Sequence, residues 1–307
     1  MEINSVYKKQ NKNDNIEMLM AVRRLYSKAK FINKINFLFS VIVPVVISLV
    51  KVFIDKYELL QINKFIPYLG YYGIAILAFT IITNGMVSDL KKKAALIQEM
   101  FDCDVLSIRW NDIKVGKKPS YSIIYKSSLY HKNKNRHSEF QNWYFDQEYK
   151  FKTSTAAILC QNENVGWDLS QRIVLSKILI SILCLSFLSL LGVGFYFQMK
   201  VDEFFFYIVF LLPLLRHFYI QFKENKATIE KCTRINEAIE KVIDTLASQK
   251  EIENQELTFT IRTIQDEIYS HRASNQPVPD LMHKLFRKKN EEQYKRHFNY
   301  YLDKLDC

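Results

Sequence analysis

The residues best suited to bind a ligand lie between Arg109 and Tyr144. Arg109-Trp110-Asn111, Lys114, Lys117-Lys118, Arg136 and Trp143-Tyr144 set cations among flat aromatic rings. That mixture suits an organic polyanion. Guanidinium groups pair phosphate oxygens bidentately, and a base stacked on an aromatic ring gains about 1–3 kcal/mol. Taken singly, Trp110 and Trp143 also fit a core or membrane-interface role, and the lysines a solvated one. Taken together they form the candidate ligand-binding set.

Catalysis has no comparable foothold. The chain contains no GxSxG, HExxH, phosphate-binding loop or glycine-rich dinucleotide turn. Its six histidines (His131, His137, His217, His271, His283, His297) have no ligand spacing, and pairs such as Asp102/Asp104 and Glu291/Glu292 read as solvent-facing. The five cysteines (Cys103, Cys160, Cys184, Cys232, Cys307) include no CxxC pair, which gives neither a zinc pattern nor a disulfide framework and fits a reduced, cytoplasmic setting. The expectation is a non-enzyme with no catalytic residue, no metal and no cofactor.

The elements that must carry these residues are dominated by apolar runs. Ile178 to Met199 holds no charge, and Phe204 to Phe222 follows after Lys200-Val201-Asp202-Glu203. A helix needs roughly 20 apolar residues to cross a bilayer core, so the pair reads as a tight transmembrane hairpin. Two earlier spans run from Ile35 to about Ile54, through Pro44, and from Phe65 to Val87. Three polar residues stand out within these spans: Asn84, Arg216 and His217. An ionisable group at mid-membrane costs about 2.5–3.5 kcal/mol, so Arg216 and His217 reach for the headgroups, line a pore or gate, or contact the inner domain, and polar Asn84 has a similar ambiguity. They are the candidate pore or gate residues.

Charge sets the expected topology. The chain carries +11 overall, and Lys plus Arg exceed Asp plus Glu by 8 to 3 in residues 1–34 and by 15 to 10 in residues 88–177. Segments 51–64 and 200–203 carry 3 against 2 and 1 against 2. The positive-inside rule therefore puts both termini and the 88–177 segment in the cytoplasm of a multi-pass inner-membrane protein. The basic excess is topological, not a sign of a DNA or RNA polymer. The first 34 residues have no early apolar core and read as no cleavable signal.

The expected fold is mainly α, with few glycines and prolines (7 and 6) in 307 residues. Residues 1–34 form an amphipathic helix, capped at Asp14 with Glu17 three residues on, that lies on the membrane face or packs on the protein itself. Residues 35–87 hold the first two spans. Residues 88–177 form a small α+β sensor-like domain in which CDVLSI alternates like a strand, SIIYKSSLYHK is helical, and a helix breaks at Gly166 and restarts at an Asp168 cap. Residues 178–222 are the hairpin. Residues 223–307 form a helical tail in which Ile229, Cys232, Ile235, Ile239, Val242 and Leu246 make one apolar stripe, and Leu257, Ile261, Ile264 and Ile268 another. The stripes pack on each other, or the first is an oligomer seam.

Four segments, IEMLMAVRRLYSKAK, FDCDVLSIRWN, ILCQNENVGWDLSQR and IYSHRASNQPVPDLMHKLFRKK, together resemble the SMODS-associating four-transmembrane effectors, pore-forming proteins of CBASS-type bacterial anti-phage systems. Their order around four spans covers nearly the whole chain. The resemblance implies an effector that responds to a cyclic oligonucleotide, permeabilises the inner membrane and ends the infected cell by abortive infection. Its partners would be the lipid bilayer, a cyclic oligonucleotide and further copies of itself, since four helices enclose too little lumen for a pore. Two other readings stay open: a constitutive channel or transporter subunit without nucleotide input, and a membrane-anchored scaffold acting through its tail.

Overall fold

The computed structural model describes residues 6–47, 50, 66–196, 198, 200–248 and 254–304. These are almost wholly helical: α1 Val6–Gln10, α2 Asn13–Phe37, α3 Ile66–Val105, α4 Asp112–Val115, α5 Tyr121–Lys132, α6 Thr153–Tyr196, α7 Val201–Ala247, α8 Asn254–Ser274 and α9 Asp280–Lys304. A 3-10 turn, His137–Phe140, follows α5. A π turn, Leu38–Ile42, follows α2, with the Val43 N–H reaching back five residues to the Leu38 carbonyl. Pro44 stands just beyond and has no N–H to offer, so a wider turn there keeps the preceding carbonyls paired.

The chain divides into two units. Unit 1 comprises Met1–Lys28, Ser88–Ile173 and Ala227–Cys307; unit 2 comprises Ala29–Val87 and Val174–Lys226. Unit 1 has an apolar core built from Ile16, Leu19, Met20 and Leu25 of α2, Ile97 and Phe101 of α3, Ile158 and Leu159 of α6, and both stripes of α7 and α8. The three- and four-residue spacing of these positions lets each helix turn one face inward. The α2 face is thus spent on the protein's own core, and the α7 and α8 stripes bury each other's neighbourhood within one chain.

Among the described residues of unit 2, amide, hydroxyl and ring contacts join its helices. Thr80 Oγ1 donates to Asn36 Oδ1 at 3.0 Å, and Asn36 Nδ2 donates to Asn84 Oδ1 at 3.3 Å. The Tyr72 hydroxyl donates to the Phe39 carbonyl, and the Phe37 and His217 rings meet tilted at 42° with centroids 4.6 Å apart. At Gly194 a Cβ would fall 2.7 Å from the Phe204 ring, so only glycine lets these two helices approach so closely. Among the described residues three helices are long and apolar enough to cross a membrane: Asn13–Ile47, Tyr71–Val105 and Thr153–Tyr196. The fourth expected span, Phe204–Phe222, lies within α7, and the side chains of residues 205–210 lie outside the described residues. So do residue 48, residue 49 and residues 51–65, where the first span was expected to end and connect to the second.

Three local expectations are corrected. The α+β character of the 88–177 segment is not found: among the described residues there is no strand, and CDVLSI is the last turn of α3 and its exit. Phe101, Asp102, Val105 and Leu106 are all buried at helical spacing, which a six-residue run cannot distinguish from alternation. Gly166 does not break a helix, because α6 runs through it; a Cβ there would collide with the Tyr294 hydroxyl of α9. Asp168 is consequently not a cap but a mid-helix carboxylate directed into unit 1.

Candidate functional site: a buried charge network joined to a basic loop

Unit 1 encloses a cluster of charges within its apolar core. On α3, Asp102 is fully buried and accepts from Arg272 Nη1 of α8 at 2.5 Å. Asp102 also accepts from Gln265 Nε2 at 3.0 Å and from the Tyr144 hydroxyl at 2.6 Å. That hydroxyl in turn accepts from Asn164 Nδ2 of α6 at 2.6 Å. Gln265 further donates to Glu99 at 2.8 Å, and its own carbonyl takes a hydrogen bond from Gln161 at 3.0 Å. Burial alone would lower the Arg272 pKa, but Asp102 outweighs it and holds the guanidinium charged. Burial, then the Asp102 charge, pushes the Tyr144 hydroxyl far above the usual tyrosine range, so it stays a neutral donor.

A second group sits further along the same helices. Asp168 accepts from Arg172 Nε at 2.6 Å and pairs with His271 Nε2 at 2.7 Å. The other His271 nitrogen lies 2.5 Å from Asn275 Nδ2. Arg172 also donates to the Gln276 carbonyl at 3.0 Å, and Lys91 to the Ser274 carbonyl at 3.1 Å, so two cations meet the C-terminal end of α8 as its dipole favours. Cys232 completes the group, its Sγ 3.6 and 3.7 Å from the two His271 ring nitrogens. Burial, then Asp168, pushes this thiol up to about 12. Asp168, Cys232 and His271 are metal-ligand types within 4.8 Å of one another. Yet a sulfur almost equidistant from both ring nitrogens lies across the ring and not along either lone pair. Arg172 and Asn275 already occupy the other positions, and the group reads as an ion-pair cluster.

Arg262 joins this interior to the surface. It pairs with Glu99 at 2.7 Å and Asp266 at 2.9 Å, and donates to the Arg109 carbonyl at 2.8 Å. Asp266 accepts from Asn111 Nδ2 at 2.7 Å, while Asn111 caps α4 by accepting from the Lys114 N–H at 3.2 Å. The loop 109–118 then closes on itself: Trp110 Nε1 donates to the Gly116 carbonyl at 2.9 Å, and Gly116 adopts φ 85°, which only glycine takes without strain. Burial would lower the Arg262 pKa, but Glu99 raises it above the ordinary value, so this joint carries a full charge.

The expected ligand-binding residues are only partly brought together. Arg109, Lys114, Lys117 and Lys118 are exposed around half-buried Trp110, with Lys118 Nζ 5.5 Å from the indole centroid. Arg136 pairs at 3.4 Å with Glu139. Trp143, 37% exposed, meets the edge of Phe101. Tyr144 is no stacking surface, being buried against Phe101 with its hydroxyl committed to Asp102. Of the expected gate residues, Asn84 accepts from Asn36, the His217 ring meets Phe37 at a tilt and lies 2.9 Å from Gln221, and Arg216 is exposed.

Sequence reading missed the interior network. Asp102 was expected to face solvent, and His271 to be isolated. The available signal was the charge set on otherwise apolar faces, Glu99 and Asp102 beside Phe101 and His271-Arg272 after Ile268. Part of the network, including Asp102, Asn164, Asp168, Arg172, His271 and Arg272, falls within the four segments that carry the family resemblance, whereas Glu99, Tyr144, Cys232, Arg262 and Gln265 lie outside them.

Comparison with known proteins agrees with those segments. A family model, the SMODS-associating 4TM effector domain, matches residues 4–299. The chain belongs to that family. It is also 26% identical over 289 residues, 93% of this chain and 94% of the relative, to a Bacillus cereus (strain VD146) protein described as the probable CBASS effector molecule IK1_05631. No solved structure matches. The chain is therefore a SMODS-associating 4TM effector domain protein with membrane-length apolar helices. In this effector, helices that supply the buried network, α3 and α6, are the same ones that continue as membrane-length helices.

Proposed function

We propose that this protein is an anti-phage membrane effector in which a cyclic oligonucleotide binds unit 1 and biases unit 2 towards an oligomeric, membrane-permeabilising state. Family membership and the relative's description support the setting. The observation that carries the mechanism is Arg262. One guanidinium holds the Arg109 carbonyl of the basic loop and Glu99 of α3, so a ligand engaging Arg109, Lys114, Lys117, Lys118 and the Trp110 ring pulls on the joint between loop and network. The network ties α8 to α3 and α6, and both continue into unit 2. The equilibrium can shift by no more than the ligand's difference in affinity for the two states. The reading assigns no catalytic step.

The topology proposed is four spans with both termini and residues 88–177 in the cytoplasm, supported by the charge asymmetry of the chain. Asn84, Arg216 and His217 remain the proposed pore or gate residues, Arg216 foremost because its side chain is exposed within an apolar helix.

The test is dye leakage from liposomes carrying the full chain, with and without cyclic oligonucleotides. Leakage should require the nucleotide. Trp110→Ala, or Lys117→Glu with Lys118→Glu, should lose the response while insertion persists. Ligand-independent leakage by the native chain would favour a constitutive channel and overturn the reading.

A further inference from the structure

A second cationic cluster lies at the C-terminal end of α5, and it differs from the loop in having a buried, unsatisfied group next to the ring that carries its cations. His131 is 5% exposed and neither ring nitrogen has a hydrogen-bond partner. Its ring is wedged perpendicular to Tyr130 and Phe140, with centroids 5.1 and 5.2 Å away. Around it the chain gathers cations. Arg24 of α2 lies 3.8 Å from the Tyr130 ring centroid, and Lys134 Nζ lies 4.3 Å from the same centroid while donating to the Tyr130 hydroxyl at 2.8 Å. Asn135 adopts φ 51°, and this left-handed turn folds the Lys134 and Arg136 N–H groups back onto the His131 carbonyl at 3.2 Å each. Lys132 is paired with Glu17 and Arg136 with Glu139 at 3.4 Å, and at His131 Glu139 opposes the charges of Arg136, Arg23 and Arg24.

Two cations drawn onto one ring, with two more arginines beside a buried imidazole, leave a net positive field that Glu139 offsets only in part. We propose that this cluster is a binding site for a phosphate-class anion, held by Arg24, Lys134 and Arg136 with His131 as the buried hydrogen-bonding partner. Guanidinium and ammonium groups supply the charge-assisted hydrogen bonds such an anion needs. The unliganded state supports this: burial, then Arg136 and Arg23, keep His131 below its ordinary value, so the ring is neutral. An anion at this position reverses that balance, and binding draws a proton onto His131. The proposal does not rest on the loop reading, sharing only Arg136 with the ligand set considered there.

Calorimetric titration of the detergent-solubilised full chain with inorganic pyrophosphate, near pH 6.5 in two buffers of different ionisation heat, tests it. Saturable binding with net proton uptake is expected. Lys134→Gln combined with Arg24→Gln should weaken binding by about tenfold or more, because each removes a charged hydrogen bond. His131→Phe, which keeps an aromatic wedge, should abolish the proton uptake. Lys134→Gln alone, at an exposed position, serves if the others do not fold, and should weaken binding measurably. Absence of saturable binding, or Lys134→Gln binding like the native chain, overturns the site. Repeating the titration in nanodiscs of phosphatidylcholine and of phosphatidylglycerol identifies the source. Weaker pyrophosphate binding in phosphatidylglycerol assigns the site to a lipid headgroup, and equal binding assigns it to a soluble phosphate ester.

Discussion

Unit 1 and unit 2 treat polar and apolar surface in opposite ways. Unit 1 buries a contiguous apolar core, with Ile97, Phe101, Ile158 and Leu159 at its centre, and also encloses carboxylates and guanidiniums within it, while Ile113, Phe259 and Leu285 stay outside. Unit 2 turns Leu77, Ile81, Ile82, Leu185, Phe187, Leu188 and Phe195 outward, and among its described residues amide, hydroxyl and aromatic contacts join its helices beside buried Val41, Leu179 and Leu190. In water such an outward face would be an association surface. In lipid it costs nothing, and helices then cohere through close approach and sparse hydrogen bonds. The lesson is that one continuous helix, such as α3 or α6, is governed by two different solvents along its length. The same kind of substitution should therefore have very different effects in the two units.

The largest effect is expected where a buried charge loses its carboxylate partner. Asp102→Ala leaves Arg272 buried without its carboxylate, and breaking such a pair costs about 3–5 kcal/mol. Thermal unfolding of the solubilised chain should show this as a large drop in Tm. Replacing both partners by apolar residues, Asp102→Leu with Arg272→Met, should recover much of the loss. A drop below about 1 kcal/mol for Asp102→Ala would mean that the network does not hold unit 1 together.

Close approach provides the next contrast, one glycine in each unit. Gly166→Ala forces a methyl against the Tyr294 hydroxyl, and Gly194→Ala forces one against the Phe204 ring. Overpacking of this kind costs about 1–3 kcal/mol. Tyr294→Phe removes the clashing oxygen and should rescue Gly166→Ala in a double-mutant cycle, because the next ring atom is 3.3 Å away. If it does not, Gly166 matters for some reason other than this contact.

How legible each unit was in the sequence follows from the same contrast. Lipid selects on composition over a contiguous stretch, so the charge-free run from Ile178 to Met199 announced itself. The helical stripes of α7 and α8 were equally plain, because periodicity is a local property. Which of two fates awaited them, burial within the chain or an oligomer seam, was not local and stayed open until the fold was known. The network was the least legible part. Arg272 and Asp102 stand 170 residues apart, and nothing near Asp102 in sequence distinguishes it from exposed Asp104 except helical phase. Gly166 was misread for a related reason: a glycine needed for an approach by α9 looks, in sequence, like a glycine needed for a turn.

A smaller effect separates the two units by pH. His131 is held below the ordinary histidine value near 6.5, chiefly by burial and then by Arg136 and Arg23, with Arg24 adding and Glu139 opposing. The unfolded chain then binds the proton more readily, so this contribution to stability is complete above about 6.5 and is lost as pH falls below it. In the absence of phosphate-class anions, Tm should decline on mild acidification, and His131→Phe should flatten that decline. An unchanged slope in His131→Phe would place the acid sensitivity elsewhere.

The smallest effect is the one that most sharply tests the reading of unit 2. Leu188 is 61% exposed and Leu77 62% exposed, whereas Leu159 in unit 1 is fully buried. Leu159→Ala opens a cavity and should cost about 2–5 kcal/mol. Leu77→Ala and Leu188→Ala in nanodiscs exchange one lipid-solvated side chain for a smaller one, and should stay within about 0.5 kcal/mol of the native chain, as surface substitutions do. The comparison is informative in both directions. If Leu188→Ala approaches Leu159→Ala in severity, that face is not solvated by lipid but packed against protein, and the nearest candidate is a second copy of the chain. Such a result, repeated along the same helix face at Leu185 or Phe195, would locate the oligomer seam that the proposed pore requires. Near-neutral behaviour at every one of these positions would direct the search for that seam to other faces of unit 2.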